Sequence, residues 1–414
     1  MQKDIKYTLL LLPIMLLCFS FLKAQKVVNV DSVYNKRIKT IETKINNRYE
    51  SVILVNNSNE KLTISFDDLN SEAQNYGYSL KLCNADWSDS PLSEFDYLDG
   101  FIDNDIDQYT YSLKTLTQYV HYQISLPNNS VNFKIAGNYL LTVFNLDDKQ
   151  PLFTKRIVVS NTDLAITATL KTAKRNSEQI QSISMFLQYP EAAIDVLTES
   201  FTATIVKNNN WSNAIYNVPL NIAGENSLFV SEAIHFKSGN EFRQFDIKSL
   251  EERGENVQST LFSLNNYLAR LEIDTPRNYT HYIFEDDKNG WFEIKNNQKK
   301  GADVTSEYVD VVFTLQTNQK LDFGQVFIAG MFNQWKATDL MSYNADIQSY
   351  TATISLKQGT YNYSYGLKTK TGFDPYYFEG NMMETDNEYF IIIYKSDITK
   401  NYDEAIGIAT INPQ

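Results

Sequence analysis

The sequence of 414 residues is 43% hydrophobic and 21% charged, with 27 Tyr and 24 Phe. This composition excludes a disordered tail, a collagen-like rod and a small disulfide-stabilised protein, because the chain has enough apolar side chains to fill several cores. The formal net charge of −13 disfavours nucleic acid and anionic membrane surfaces as partners.

The first 24 residues have the features of a secretory signal peptide. Lys3 and Lys6 precede an apolar stretch from Thr8 to Leu22, and Ala24 is a small residue suited to a cleavage site. An apolar stretch of about 15 residues is short for a membrane span. We therefore expect residues 1–24 to be removed and the rest to be exported to the periplasm with no transmembrane segment. Cys83 would then have no partner for an internal disulfide.

Strand-like alternation of apolar and polar residues recurs along the chain. It is clear at Tyr76–Leu82 and Val309–Leu315, and Leu250–Leu271 is interpreted as mostly strand and loop because Gly254 interrupts its apolar residues. The Asn289-Gly290 pair predicts a tight turn, so a hairpin is expected over Tyr282–Ile294. A second hairpin is expected where two alternating runs flank Gly359.

Antiparallel strands without a strand–helix–strand rhythm predict an all-β protein built of tandem antiparallel β-sandwiches, immunoglobulin-like and early-set in type. Turn-forming residues near 160–162 and 296–303 indicate the linkers. The predicted domains are an N-terminal sandwich over 25–160, a middle sandwich over 161–302 and a C-terminal sandwich over 303–414.

The sequence contains none of the common catalytic motifs. His121, His235 and His281 lie in strand-like runs, and none has another metal-ligating side chain at a useful spacing. They are interpreted as packed or surface imidazoles. We therefore expect a protein that is not an enzyme and that has no cofactor.

An acidic stretch between Lys81 and Lys114 contains no basic residue. Its preferred interpretation is a solvated loop whose charge keeps a sheet edge soluble. Two functional alternatives remain open. The first is a partner-binding patch at Asp86, Asp89, Glu94, Asp96 and Asp99. The second is a Ca²⁺ site at Asp103, Asp105 and Asp107, since alternate residues of an extended chain point the same way.

The segment Gln325–Trp335 combines a strand with a Gly-x-Phe-Asn-x-Trp turn. Together with the strands that follow, it resembles the early-set sandwich of glycogen-binding modules. The resemblance implies that sugars would stack on Trp335 and Phe373 and bind Asn387, while Ser364 replaces the lysine of the family. A glycan-binding envelope protein is therefore the alternative function.

Seven short segments in a fixed order carry a second resemblance: Leu62–Leu69, Cys83–Trp87, Glu94–Phe101, Tyr119–Tyr122, Ala136–Leu141, Gly239–Asp246 and Glu379–Asn387. In this order they resemble the plug protein family of the type IX secretion system. The resemblance implies a periplasmic, non-enzymatic protein at the inner face of the outer membrane. Its expected partner is the SprA-type barrel translocon, whose periplasmic end it would close when no substrate is passing.

Overall fold

The computed structural model of the chain describes residues 27–46, 48–49, 53–56, 59–161, 164–189, 194–195, 197–224, 226–263 and 265–412. The predicted signal peptide lies outside these residues. Strands dominate, which confirms the all-β fold class. Within the described ranges the α helices are α1 (Glu94–Tyr97) and α2 (Ala302–Thr305), and no helix there is long and apolar enough to cross a membrane.

The first domain covers residues 27–161. Its strands are β1 (Ser32–Val33), β2 (Ile38–Ile45), β3 (Arg48–Tyr49), β4 (Ile53–Val55), β5 (Leu62–Asp68), β6 (Tyr76–Cys83), β7 (Leu98–Gly100), β8 (Asp103–Asp105), β9 (Gln108–Tyr111), β10 (Val120–Leu126), β11 (Val131–Phe133), β12 (Gly137–Asn145) and β13 (Pro151–Ser160). One sheet has the order β1-β13-β12-β6-β8 and the other β3-β2-β5-β10-β9. Side chains that alternate inward from both sheets, including Phe66, Tyr122 and Phe153, form one core.

The remaining strands follow in chain order. They are β14 (Ala165–Arg175), β15 (Glu178–Gln188), β16 (Glu199–Lys207), β17 (Ile215–Pro219), β18 (Asn221–Ala223), β19 (Ser227–Phe229), β20 (Ile234–Lys237), β21 (Arg243–Asp246), β22 (Val257–Ser263), β23 (Asn266–Leu271), β24 (Phe292–Ile294), β25 (Tyr308–Gln316), β26 (Gln325–Ala329), β27 (Asp339–Leu340), β28 (Ser342–Asn344), β29 (Ser349–Lys357), β30 (Gly359–Thr369), β31 (Gly372–Asp374), β32 (Tyr389–Asp397) and β33 (Tyr402–Ile411).

The second domain is discontinuous in sequence. Its two sheets have the orders β14-β15-β19-β18 and β17-β16-β32-β33, so the last two strands of the chain complete it. Tyr389, Ile391 and Ile393 from β32 enter the same core as Ile205 from β16. The second domain therefore comprises residues 164–238 with 387–412.

The third domain, residues 239–386, is inserted between β20 and β32. Its sheets have the orders β21-β30-β26-β27 and β22-β23-β25-β29-β28, and their inner faces share one core. This division differs from the predicted boundary at 302/303. Apolar residues from β21 to β24 pack in the third domain, whereas the C-terminal strands belong to the second.

Two predicted hairpins have the right strands or turn but the wrong pairing. β29 ends at Lys357 and β30 begins at Gly359, close to the expected turn, yet β29 pairs with β25 while β30 pairs with β26 in the facing sheet. Asn289 and Gly290 adopt positive φ angles of 51° and 86°, but only Phe292–Ile294 of that region is a strand. The interpretation of Leu250–Leu271 as strand and loop agrees with a loop followed by the β22–β23 hairpin.

The first and second domains meet through a shared apolar cluster. Trp87 of the first domain and Trp211 of the second are in edge-on contact, with ring centroids 5.3 Å apart. The guanidinium of Arg156 lies 4.8 Å from the Trp87 ring and 5.6 Å from the Trp211 ring. Tyr394 in β32 donates a hydrogen bond of 2.7 Å to Asn138 in β12. Burial of these aromatic surfaces stabilises a fixed contact.

The first and third domains are joined by buried polar groups. Asp67 in β5 is 0% exposed and lies 2.6 Å from the Lys357 ammonium, which is 1% exposed. Asp67 also lies 2.7 Å from His121 Nδ1 and accepts a hydrogen bond of 2.7 Å from the Tyr308 hydroxyl. Burial alone would raise the pKa of Asp67, but Lys357 and His121 outweigh it and hold the pKa below its usual value.

We expect Asp67→Asn to lower the free energy of unfolding at pH 7 by about 3–5 kcal/mol, because Lys357 would be left buried without its counter-ion. Urea denaturation measures this loss. Since the folded pKa of Asp67 is lowered, its contribution is present above about pH 4 and is lost as the pH falls further. The variant should therefore lose less stability than the wild type on acidification.

The double variant Asp67→Asn/Lys357→Met is the control, and it should recover part of the loss because the unpaired charge is gone. An Asp67→Asn protein that unfolds at the same urea concentration as the wild type, with the same slope, would contradict this account.

Candidate functional site

The acidic stretch of the first domain forms an exposed loop between β6 and β8. The turn that begins α1 is fixed by Asp96, whose carboxylate accepts hydrogen bonds of 2.9 Å from the Ser93 backbone N–H and hydroxyl. Gly100 ends β7 with φ of 120°, and a Cβ there would lie 2.0 Å from the Ser130 carbonyl oxygen. The loop therefore has a defined conformation that depends on local polar contacts and one glycine.

Two aromatic side chains on this loop, Phe95 and Phe101, point away from the core, whereas Tyr97 is buried in it. Phe95 is 74% exposed between Glu94 and Asp96, and Phe101 is 70% exposed two residues after Asp99. We use "acidic–aromatic surface" for Glu94, Phe95, Asp96, Asp99 and Phe101. Large exposed aromatic side chains are enriched on surfaces that another protein covers.

The other two predicted patch residues have different surroundings. Asp86 accepts hydrogen bonds from the Ser88 N–H at 2.9 Å and hydroxyl at 2.6 Å, and these bonds lower its pKa. Asp89 lies 2.8 Å from the Lys81 ammonium and accepts a hydrogen bond of 2.7 Å from the Asn29 amide. Of the five predicted acids, Asp86, Asp89 and Asp96 are thus engaged in local contacts, whereas Glu94 and Asp99 are exposed on the loop.

The alternative Ca²⁺ site finds no support in the geometry. Asp103 and Asp105 are exposed on β8 with buried Asn104 between them, and Asp107 follows the strand. Asp103 lies 3.6 Å from the Lys149 ammonium. Among the residues that the structure describes, no three His, Cys, Asp or Glu side chains are grouped closely enough to hold a metal ion.

A cleft of about 380 Å³ lies between the second and third domains. Trp335, Phe373 and Tyr376 of the third domain line it, together with Lys207 of the second. Two residues that the resemblance to glycogen-binding modules singled out therefore share one cleft. The sequence did not indicate Lys207 or Tyr376, because nothing local shows that β16 lies opposite the third domain.

The position of Trp335 is fixed by the turn that precedes it. The Asn333 amide donates hydrogen bonds of 2.9 Å to the Ile328 carbonyl and 2.6 Å to the Asp339 carboxylate. Gln334 and Trp335 then both have positive φ angles, 55° and 59°. The indole packs on Phe242 with a centroid distance of 5.4 Å. Its ring is thus held between two elements of the third domain.

Lys207 is the buried cation of the cleft. Its ammonium donates hydrogen bonds to the carbonyl of Lys237 at 2.8 Å and to the carbonyl of Ser238, and it lies 5.8 Å from the centroid of the Tyr376 ring. Burial lowers the pKa of Lys207 to about 7, although the charge of Glu241 acts in the opposite direction.

Asn387, the third predicted sugar-binding residue, is not on the cleft. It is 1% exposed, and the groups that it bonds most closely belong to the second domain. Its amide donates hydrogen bonds of 2.8 Å to Gln181 and to the Ser238 carbonyl, and its oxygen accepts one of 2.8 Å from Asn208. These contacts occupy its amide groups, so the structure assigns Asn387 a structural position.

Comparison with known proteins identifies part of the chain. Residues 38–161 match the family model described as "Type 9 secretion system plug protein 1st domain", which confirms the resemblance to that family. A crystal structure of a hypothetical protein from Parabacteroides merdae is 29% identical, covers 94% of this chain and 100% of that chain, and has a TM-score of 0.88. No curated protein matches the chain.

Two other solved structures align only weakly. The C-terminal domain of the AgI/II polypeptide BspA from Streptococcus agalactiae is 5% identical, covers 91% of this chain and 99% of that chain, and has a TM-score of 0.16. Dimeric latent PorU from Porphyromonas gingivalis is 9% identical, covers 91% of this chain and 34% of that chain, and has a TM-score of 0.14. Similarity at this level carries no functional argument.

We expect Gly290→Ala to disturb the cleft by displacing Trp335. A Cβ at Gly290, where φ is 86°, would lie 2.2 Å from the Trp335 Cη2 atom. The left-handed backbone and the overlap together should lower the free energy of unfolding by about 2–4 kcal/mol. Urea denaturation measures the loss, and near-ultraviolet circular dichroism reports the movement of the indole.

Gly301→Ala is the matched control for backbone strain. Gly301 has φ of 75° and no atom within 4 Å of an added Cβ, so this variant should lose only about 1 kcal/mol. Equal losses in the two variants would show that the Trp335 contact does not position the ring.

Proposed function

We propose that this chain, whose residues 38–161 match the first domain of the type 9 secretion system plug protein family, is a non-enzymatic plug. In this proposal it closes the periplasmic end of the SprA-type barrel translocon in the outer membrane when no substrate is passing. It is located in the periplasm, at the inner face of that membrane, and its partner is the barrel.

The observation that carries the proposal, beside the family match, is that three sandwich domains form three mutual contacts. The first domain contacts the second through Trp87 and Trp211, and the third through Asp67 and Lys357. The second and third domains share two chain connections, and the Gln181 amide of the second donates a hydrogen bond of 2.7 Å to the Thr385 carbonyl of the third. A body without a free hinge resists deformation, and steric closure of a wide pore requires this property.

The most enclosed candidate for acid–base chemistry has a structural position. His121 and Asp67 form a hydrogen-bonded pair, but Lys357 and Tyr308 bond the same carboxylate from the third domain. A catalytic pair needs room for a substrate beside the imidazole. Here the carboxylate of the pair is already bonded to Lys357 and Tyr308 of the third domain, so it serves the domain contact, which supports a non-enzymatic role.

The acidic–aromatic surface is the part of the first domain that we propose contacts the barrel. Its exposed carboxylates would face basic groups on the rim, and Phe95 and Phe101 would supply the apolar area of the contact. A contact of this mixed character can be specific and still reversible, as gating by a plug requires.

Deletion of the gene should make the outer membrane permeable to small solutes, and the wild-type gene should restore the barrier. A variant with Glu94→Lys, Phe95→Ser, Asp99→Lys and Phe101→Ser should bind the barrel about 10–100-fold more weakly, because exposed anchors and charges of one interface are removed together. Asp96 is left intact because it fixes the α1 turn. Co-purification with the barrel and uptake of a small dye measure the two effects.

The matched control is a variant with Glu251→Lys, Glu252→Lys, Leu261→Ser and Phe262→Ser, which changes the same types of exposed side chain on the third domain. It should bind and seal like the wild type. Deletion without any gain in permeability would refute the plug function. Sealing by both variants would refute only the assignment of the contact surface.

A glycan-binding role is the second candidate, favoured by the cleft that Trp335 and Phe373 share. If it is correct, soluble oligosaccharides should change the tryptophan fluorescence of the wild type but not of Trp335→Phe. Phe262→Ser is the control, because Phe262 is in β22 and belongs to the other sheet of the third domain from Phe373. This variant should respond like the wild type. A flat response of the wild type to an oligosaccharide panel would exclude this function.

A further inference from the structure

A second cavity, of about 670 Å³, lies between the first and third domains. Val30, Ile38 and Ile41 of the first domain form one wall, and Phe332, Ile354 and Leu356 of the third domain form the other. A cavity of this size, lined mainly by apolar side chains, has the dimensions of a site for a small molecule. It is separate from the acidic–aromatic surface.

Lysine side chains surround this cavity. Lys36, Lys39 and Lys336 line it, and none of the three has an ion pair or hydrogen bond from its side chain among the described residues. Among the described residues that line the cavity, Asp339 is the one with a carboxylate. It already accepts a hydrogen bond of 2.6 Å from Asn333. Three unpaired cations at one cavity are unexpected in a chain with a net charge of −13.

Lys336 is the most enclosed of the three. Its side chain is half-buried, and burial lowers its pKa. Asp31 attracts the ammonium, but Asp31 forms an ion pair of 2.8 Å with Lys155. The positive charge of Arg156 lowers the pKa of Lys336 further. An ammonium in these surroundings gains from an anion placed beside it.

An unsatisfied amide borders the same cavity. The Oε1 and Nε2 atoms of Gln334 are both buried, and neither has a hydrogen-bond partner. Its backbone lies in the left-handed region and donates a hydrogen bond of 2.9 Å to the Met331 carbonyl, so the start of the side chain is fixed while its amide can rotate. Buried amides are nearly always hydrogen-bonded, so the Gln334 amide would gain a partner by rotating toward a polar group of a ligand in the cavity.

From these observations we propose that the cavity binds an anionic amphiphile: a single acyl chain on the apolar walls, with its acidic headgroup at Lys336 and Gln334. A small inorganic anion would leave the apolar walls unused. A peptide segment would bring backbone groups that need partners, and Gln334 alone cannot supply them. An acyl chain has no such groups along its length.

The bound amphiphile would also strengthen the contact between the two domains. Thr40 lines the cavity and its hydroxyl lies 2.7 Å from the Tyr308 hydroxyl, while Leu356 precedes Lys357 of the buried ion pair. A ligand that touches both walls binds the folded protein and not the unfolded chain, so it raises the melting temperature. This effect is independent of the proposed plug function.

The test is a titration of the purified chain with oleate and with oleoyl lysophosphatidate, which distinguish a carboxylate from a phosphate headgroup. Displacement of 1-anilinonaphthalene-8-sulfonate and the melting temperature are measured. At least one of the two should bind saturably, with one ligand per chain and with affinity that falls as salt is added. Oleyl alcohol and inorganic phosphate should each bind at least about tenfold more weakly, since each lacks half of the recognised chemistry.

Variants assign the site. Lys336→Met should weaken binding about tenfold or more, whereas Lys320→Met, at an exposed lysine of the same domain, should not. Lys336 lines both this cavity and the cleft that contains Trp335, so a second variant is needed to tell the two apart. Ser355→Phe narrows only the larger cavity, and it should abolish binding. Binding of inorganic phosphate as tight as oleate, or wild-type affinity in folded Ser355→Phe protein, would overturn the proposal. So would failure of both amphiphiles to bind.

Discussion

The buried ion pair between Asp67 and Lys357 constrains the whole architecture. The two residues are 290 positions apart and belong to different sandwiches, yet both are almost inaccessible to water. If a sandwich buried either charge alone, the free energy lost would exceed what packing contributes, because an ion without a partner is strongly disfavoured in a low-dielectric interior. The ion pair therefore stabilises the association of the two domains. The hydroxyl of Tyr308 and the imidazole of His121 complete the hydrogen bonding of the Asp67 carboxylate.

The insertion of the third domain into the second adds a covalent constraint to this contact. The chain leaves the second domain after β20 and returns at β32, so the two domains are tied at two points. With the first domain packed on both, rotation about any one connection would break a contact elsewhere. Stiffness here is a property of the closed arrangement of domains, and loops at the periphery, such as the one that carries Phe95 and Phe101, are left free to bind a partner.

The sequence was sufficient to predict the strands and insufficient to predict their partners. Alternation at Val309–Leu315 and Tyr361–Leu367 reports that one face of each strand is buried, and both are strands with inward side chains. In a sandwich, however, both sheets show the same alternation, so a turn at Gly359 can lead to the adjacent strand or to the facing sheet. The same limit explains Asn387. The resemblance to sugar-binding modules placed it beside Trp335, but the chain had already turned back toward the second domain. Such long-range pairing leaves no local signal.

The acidic residues of this protein divide into two sets with different physical roles. Asp67, Glu307 and Glu379 are buried, and each accepts hydrogen bonds from a cation or from backbone N–H groups that belong to another segment or domain. The charges of these three residues are compensated by these partners, and the contacts stabilise the packing of segments and domains. Glu94 and Asp99 are exposed on a loop whose conformation is fixed by other groups. The negative charge that is not compensated internally thus lies at the surface, where it can attract a partner. The unpaired lysines around the larger cavity make that region locally positive. A surface that repels most anions and one cavity that attracts them together favour a ligand whose apolar part, not its charge alone, decides where it binds.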